Sequence, residues 1–429
     1  MTTSTQAPQK KRSFSFKRSI SLWLRTPIAG PLFRIYAPRR SWSSPPQPDR
    51  VRVLIANLLP SLGDTICYLA LVDVLVAARP DIEITWLADN AMAGLLQTYP
   101  GIHRVLSVKI PPSRLLHVPT IKSFYKLYSI VSAVLRMDIR SPFDLVIVPR
   151  GGVDPSFSSH AAWVMNLQRS YGYSHLVEPD EVDHNFGDPL LTNLVREVTQ
   201  DHEAMRALTL LETAGLISNV RTYWNEKLAV RGLQEVAARN EVDSLFSRFD
   251  IKPGNPYIVI APGAGLPKKT WPAAKFHEIC KHITEQTTFR VILAGTKAEV
   301  PLCDGILRNL GPAAISSAGQ LNLSELLMLL SHATLFVGND SGTGHLAGAL
   351  GRPTLSLHVQ ARSGDPRHIA APEHYKPAGP DVTVLQPEHF LLSCRDRCES
   401  SEVHCLDQIT VDHVWIAITE ILARLRTAG

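Results

Sequence analysis

Apolar residues fall along the chain in short blocks separated by stretches of helical period. Val51-Arg52-Val53-Leu54-Ile55-Ala56 is rich in β-branched residues and reads as a buried strand. Ser61-Leu62-Gly63-Asp64 follows, and then a helix to about Arg79. Ile82-Glu83-Ile84-Thr85-Trp86-Leu87 and Asp144-Leu145-Val146-Ile147-Val148 read as further strands, and residues 201–215 as a helix. Strands alternating with helices predict a parallel sheet covered on both faces. Residues 225–255 are more charged and end in Lys252-Pro253-Gly254-Asn255-Pro256, a boundary signal. The pattern then starts again. Tyr257-Ile258-Val259-Ile260-Ala261, Arg290-Val291-Ile292-Leu293-Ala294-Gly295, Leu335-Phe336-Val337-Gly338 and Thr354-Leu355-Ser356-Leu357-His358 read as strands, and residues 411–425 as a closing helix. No sequence repeat of fixed period accompanies the two units.

At 429 residues the chain suits two domains of about 150–200 residues each. With 45% hydrophobic and 19% charged residues, each can bury an ordinary core. The net charge of +5 is uneven: residues 1–48 hold nine Lys or Arg and no Asp or Glu, which leaves the remainder at −4. The body therefore lacks the basic balance of a nucleic-acid binder.

The first 50 residues are rich in Ser, Pro and Arg. Phe16, Ile20, Trp23 and Leu24 share one helical face, opposite Lys17, Arg18 and Arg25. This pattern suits a helix lying on an anionic membrane surface through residues 10–40, or a disordered tail, and its acid-free start resembles a transit peptide. No apolar run reaches the roughly 18 residues of a spanning helix, and a secretory signal is not expected. Of six cysteines, Cys67, Cys280 and Cys303 read as core residues, while Cys394, Cys398 and Cys405 cluster. A reducing cytoplasm is expected, with the protein possible as a peripheral guest of the inner membrane. Cys394, Cys398, His404 and Cys405 have the count for a zinc site, but adjacent His404 and Cys405 are awkward joint ligands, so no metal is expected.

Three constellations carry candidate chemistry. Gly338-Asn339-Asp340-Ser341-Gly342-Thr343-Gly344-His345 joins a strand to a short helix. Unpaired amides and the positive end of that helix would attract phosphate, and Ser341 can donate a hydrogen bond. The alternative is a glycine-rich turn capped by Asp340. No P-loop is present, and the dinucleotide-like Gly342–Gly348 spacing precedes too short a helix. Ala261-Pro262-Gly263-Ala264-Gly265 followed by Lys268-Lys269-Thr270-Trp271-Pro272 puts a glycine turn and lysines at a strand's carboxyl end, although this motif alone reads better as a solvated lysine pair. Gly63-Asp64 puts a carboxylate at the mouth of the first unit, as a helix N-cap or as a general base.

Together these segments resemble glycosyltransferase family 9, the ADP-heptose:lipopolysaccharide heptosyltransferases. The resemblance rests on Ser61-Leu62-Gly63-Asp64, on Pro262-Gly263 with Lys269-Thr270-Trp271-Pro272, and on Asn339 through Pro353, and it runs from about Val51 to the C-terminus. The segment after the Asp144–Val148 strand departs from the family and reads Pro149-Arg150-Gly151-Gly152.

The resemblance implies an α/β GT-B fold, with two Rossmann-like parallel-sheet domains facing a central cleft. Residues 1–50 would be the tail, 51–225 the N-terminal acceptor-binding domain, 226–255 a linker, and 256–429 the C-terminal nucleotide-sugar-binding domain. It implies an inverting, metal-independent transferase without cofactor, moving a heptose-type sugar from a nucleotide diphosphate donor to a lipopolysaccharide-core or other glycan acceptor. Asp64 would take the acceptor proton, with Gly63 on the acceptor side. Gly263, Lys269, Asp340, Ser341, Gly342 and His345 would hold the donor, His345 alternatively serving helix packing. A transferase for another nucleotide sugar, a non-catalytic nucleotide-sugar binder and a dehydrogenase are the competing expectations.

Overall fold

The computed structural model describes residues 50–110, 119–137, 143–150, 156–165, 169–174, 188–196, 201–224, 230–238, 242–252, 254–366, 371–391 and 403–428. The basic tail, Cys394 and Cys398 lie outside them. Strands β1 (Val51–Asn57), β2 (Ile82–Asp89), β3 (Ile102–Val108), β4 (Leu145–Val148), β5 (Ser170–Tyr173) and β6 (Asn193–Val195) form one sheet in the order β3-β2-β1-β4-β5-β6. Strands β7 (Tyr257–Ala261), β8 (Arg290–Leu293), β9 (Ala314–Ser316), β10 (Leu335–Asn339), β11 (Thr354–Leu357) and β12 (Val382–Leu385) form a second, ordered β12-β11-β10-β7-β8-β9. All recorded pairings are parallel.

Counted from its own first strand, each sheet has the same doubly wound order. In each, connections depart in opposite directions from the first and fourth strands. That switch point leaves a crevice beyond the carboxyl ends of β1 and β4 in one sheet, and of β7 and β10 in the other. Val53, Leu54, Ile55 and Ala56 of β1 are fully buried, as expected for a strand covered on both faces.

The helix after β1 spans Leu62–Ala78. Its N-cap is Ser61, in extended conformation, whose hydroxyl oxygen accepts the Asp64 N–H at 3.4 Å. Asp64 is thus the third helical residue, which corrects the N-cap reading of that carboxylate. The helix after β10 spans Gly342–Ala349 and is capped by Ser341 rather than Asp340.

A continuous apolar core joins the halves. It includes Leu69 and Val72 of the Leu62–Ala78 helix, Leu208 and Leu211 of the Glu203–Thr213 helix, and Leu329, Leu346 and Leu350 beside the second sheet. Each such side chain stabilises by roughly 1.5–3 kcal/mol. The stretch read as a linker carries helices Arg231–Ala238 and Val242–Arg248, whose Leu233, Val236 and Leu245 enter this core. Val230 N–H also donates to Ala349 C=O at 2.9 Å. A second core lies beyond the other face of the second sheet, where Val414 and Ile418 of the closing Val411–Ala428 helix join Phe276 and Ile283. Among the described residues no helix is long and apolar enough to cross a membrane.

Candidate functional site

Asp64 leaves the first turn of the helix after β1 and points to the neighbouring strand's end. There Arg150, just past β4, donates from Nη1 to Asp64 Oδ1 at 2.8 Å. Both side chains are largely covered, at 14% and 13% exposure, so water screens the pair little. Arg150 and Asp64 therefore straddle the first sheet's switch point. Burial opposes the Arg150 charge, but Tyr375, Asp64, Tyr68 and Glu203 outweigh it and hold the guanidinium firmly protonated. Behind them Tyr68 donates its hydroxyl to Glu203 at 2.7 Å, and Glu203 also pairs with Arg206 at 3.1 Å.

The second unit repeats the arrangement with the charges exchanged. Lys269 lies on the turn after β7, and Asp340 follows β10. Lys269 Nζ donates to Asp340 Oδ2 at 2.6 Å across the second switch point. Burial alone would raise the Asp340 carboxyl, yet His358, Lys269 and His345 outweigh it and bring it down to about 2. Asn339 fixes the two turns together: its Oδ1 accepts the Trp271 N–H at 3.0 Å and its Nδ2 donates to Pro262 C=O at 2.7 Å. Trp271 is fully buried and donates Nε1–H to Ile409 C=O at 2.9 Å. The Trp-Pro and Asn-Asp motifs thus lock the site's frame.

At the head of the Gly342–Ala349 helix, the buried Oγ of Ser341 makes no hydrogen bond among the described residues. With the helix's first amides it forms a donor cluster beside the Lys269 ammonium, suited to an anionic oxygen. Gly263 behaves differently. A Cβ there would collide with Glu299, whose carboxylate also accepts the Thr296 N–H at 2.6 Å. The glycine makes room for that side chain.

The two helix starts meet. Leu62 packs so closely on Gly342 that a Cβ at Gly342 would lie 2.7 Å from it, and a Cβ at Gly63 would lie 3.1 Å from the His345 ring. His345 Nδ1 is 3.9 Å from Cys67 Sγ. Burial pushes the imidazoles of His345 and His358 below their usual range and the Cys67 thiol up. Gly63, Asp64, Lys269, Asp340, Ser341, Gly342 and His345 are consequently brought to one seam between the sheets, and His345 fills the helix-packing alternative.

Sequence reasoning missed Arg150, Glu299 and His358 as parts of this site, and gave Asn339, although inside the motif, no role of its own. Arg150 was visible only as a departure from the family pattern, and the others needed the strand order to become neighbours. Of the zinc candidates, His404 uses Nδ1 to accept the Cys405 N–H at 2.5 Å, and Cys405 is buried. Among the described residues no group of three or more His, Cys, Asp or Glu could hold a metal ion.

The sequence profile of glycosyltransferase family 9 (heptosyltransferase) matches residues 198–384. Lipopolysaccharide heptosyltransferase 1 of Pseudomonas aeruginosa is 26% identical over 315 residues, spanning 73% of this chain and 80% of that protein. Lipopolysaccharide heptosyltransferase 1 of Campylobacter coli is 22% identical, over 70% of this chain and 81% of that one. Among solved structures, a family 9 glycosyltransferase from Veillonella parvula has a TM-score of 0.66 at 19% identity, covering 88% of this chain and 98% of that one. An Escherichia coli heptosyltransferase solved with ADP has a TM-score of 0.62 at 19% identity, covering 86% and 100%. These structures share the GT-B architecture of two facing parallel-sheet units. The paired switch points, the motif residues gathered at their seam and the matched relatives agree: the chain is a glycosyltransferase similar to those of glycosyltransferase family 9, the heptosyltransferases.

Proposed function

We propose that the protein transfers a heptose-type sugar from ADP-heptose to a lipopolysaccharide-core or other glycan acceptor, with inversion and without a metal ion. The observation that carries this reading is the seam itself. The Lys269–Asp340 pair and the Ser341 hydroxyl stand at one helix start, and Asp64 at the helix start packed against it. The matched proteins lend it support, since one solved relative holds ADP and another ADP-2-deoxy-2-fluoro heptose.

In this reading residues 256–429 hold the donor and residues 51–225 the acceptor. The donor diphosphate lies against the amides of Ser341 and Gly342, with Lys269 as its counter-charge. Asp340 takes sugar hydroxyls. The acceptor hydroxyl attacks the anomeric carbon from the face opposite the leaving group and its proton passes to Asp64, while the bond to the diphosphate oxygen breaks. Lys269 and the helix amides receive the charge that develops there, which is the stabilisation that most lowers such barriers.

A thermal-shift comparison of ADP-, GDP- and UDP-sugars tests the donor: the ADP-sugar should raise Tm most. A larger shift with UDP- or GDP-sugars would move the protein to another donor within the same fold. The basic tail would bring the enzyme to an anionic membrane surface. Pelleting with phosphatidylglycerol vesicles, lost on deletion of residues 1–48, checks this.

A further inference from the structure

We infer that Arg150 is a positioning residue for Asp64, fixing the carboxylate that receives the acceptor proton; the inference rests on the catalytic reading of Asp64 proposed above.

Four observations meet here. First, the Asp64 carboxylate does not cap its own helix, because Ser61 does so, and thus its orientation is not set locally. Second, Arg150 Nη1 holds Oδ1 at 2.8 Å, leaving Oδ2 as the oxygen available to a substrate hydroxyl. Third, the two residues follow adjacent strands on opposite sides of the switch point, Asp64 in the helix after β1 and Arg150 two residues past β4, and Val53 and Leu145 of those strands are in register. The β1–β4 pairing therefore sets side by side the two strand ends from which they project. Fourth, both side chains are largely covered, so the charge-assisted bond is strong enough to select one carboxylate rotamer.

A base held by a third group is the usual arrangement for proton abstraction, because orientation is then settled before substrate arrives. Arg rather than Lys suits the role: its planar fork fixes direction, whereas an ammonium fixes only charge. Arg150 is not assigned contact with the reacting atoms. Its effect passes through Asp64.

The test uses the full chain with ADP-heptose and heptose-deficient lipopolysaccharide. Arg150→Met should lower kcat by about 10–10²-fold while donor KM stays within about twofold. Arg150→Lys should fall between. Guanidinium added at non-denaturing concentration should restore part of the Arg150→Met turnover and none of the Asp64→Asn turnover. An unchanged kcat in Arg150→Met, or a loss that guanidinium does not relieve in a variant of native Tm, overturns the inference. If instead Asp64→Asn turns over normally, the catalytic reading fails and the inference with it. Should the wild type turn over nothing with these substrates, the Tm values of Asp64→Asn, Arg150→Met and the double variant still decide the pairing. Strictly additive losses would refute it.

Discussion

Lys269 and Asp340 meet at 2.6 Å although 71 residues separate them, because each follows one of the two strands flanking the second switch point. The first sheet places Asp64 and Arg150 at 2.8 Å in the corresponding positions, with acid and base exchanged. An open α/β sheet offers its ligand crevice at this place, and each half has filled it with one carboxylate and one cation.

Removing the Lys269 ammonium should weaken binding of ADP. In the proposed donor site, Lys269→Ala takes away a charged partner of the diphosphate and also leaves Asp340 without its ion pair. A loss of at least about tenfold in Kd, read by calorimetry, is expected. Equal affinity in the two proteins would remove Lys269 from the donor site.

Acid should expose the Asp340 pairing. Its folded-state carboxyl titrates at about 2, below the ordinary 3.8. A depressed carboxyl adds stability that is complete above the unfolded value and disappears as pH falls from about 4 towards 2. The contribution is on the order of 2 kcal/mol. The gap in urea midpoint between wild type and Asp340→Asn should therefore close across that window. His345 and His358, both pushed down by burial, act earlier: below about 6.5 the unfolded chain takes up their protons first, and stability begins to decline. A gap that is flat from pH 5 to pH 2 would contradict the pairing.

Much of this frame was legible in the sequence. The apolar runs at Val51–Ala56, Tyr257–Ala261 and Leu335–Gly338 became β1, β7 and β10 because strands buried on both faces show uninterrupted hydrophobicity. β3 was not read. As an outer strand it exposes His103, Arg104 and Ser107 and buries only Leu106 and Val108, a weaker signal. Three-residue β6 and β9 offer too few residues for any period to show. At the site, the motifs announced Asp64, Lys269 and Asp340. Arg150 could not be announced, since only the β1–β4 pairing reveals that a residue 86 positions away reaches the carboxylate.

Asp64→Ala should lower kcat by at least about 10²-fold while leaving ADP affinity near that of wild type. The separation is expected because Asp64 sits in the first unit and the diphosphate donors in the second. Turnover measured as ADP release, together with calorimetry, would show it. Retained turnover would disqualify Asp64 as the base.

Gly342→Ala should cost stability, on the order of 1–3 kcal/mol, since its Cβ would come within 2.7 Å of Leu62 Cβ. Gly63→Ala meets the His345 ring at 3.1 Å and should cost less. Thermal denaturation of the two variants would check the ranking, and a larger Tm drop for Gly63→Ala would reverse it.

The close seat of Leu62 on Gly342, and of His345 over Gly63, works as a dovetail. A joint cut from two missing side chains resists sliding but can be drawn straight apart. Any parting of the two units must withdraw one helix tip from the other along that line. Reclosure along that line would return Asp64 and Ser341 to the same separation, without a hinge having to measure it.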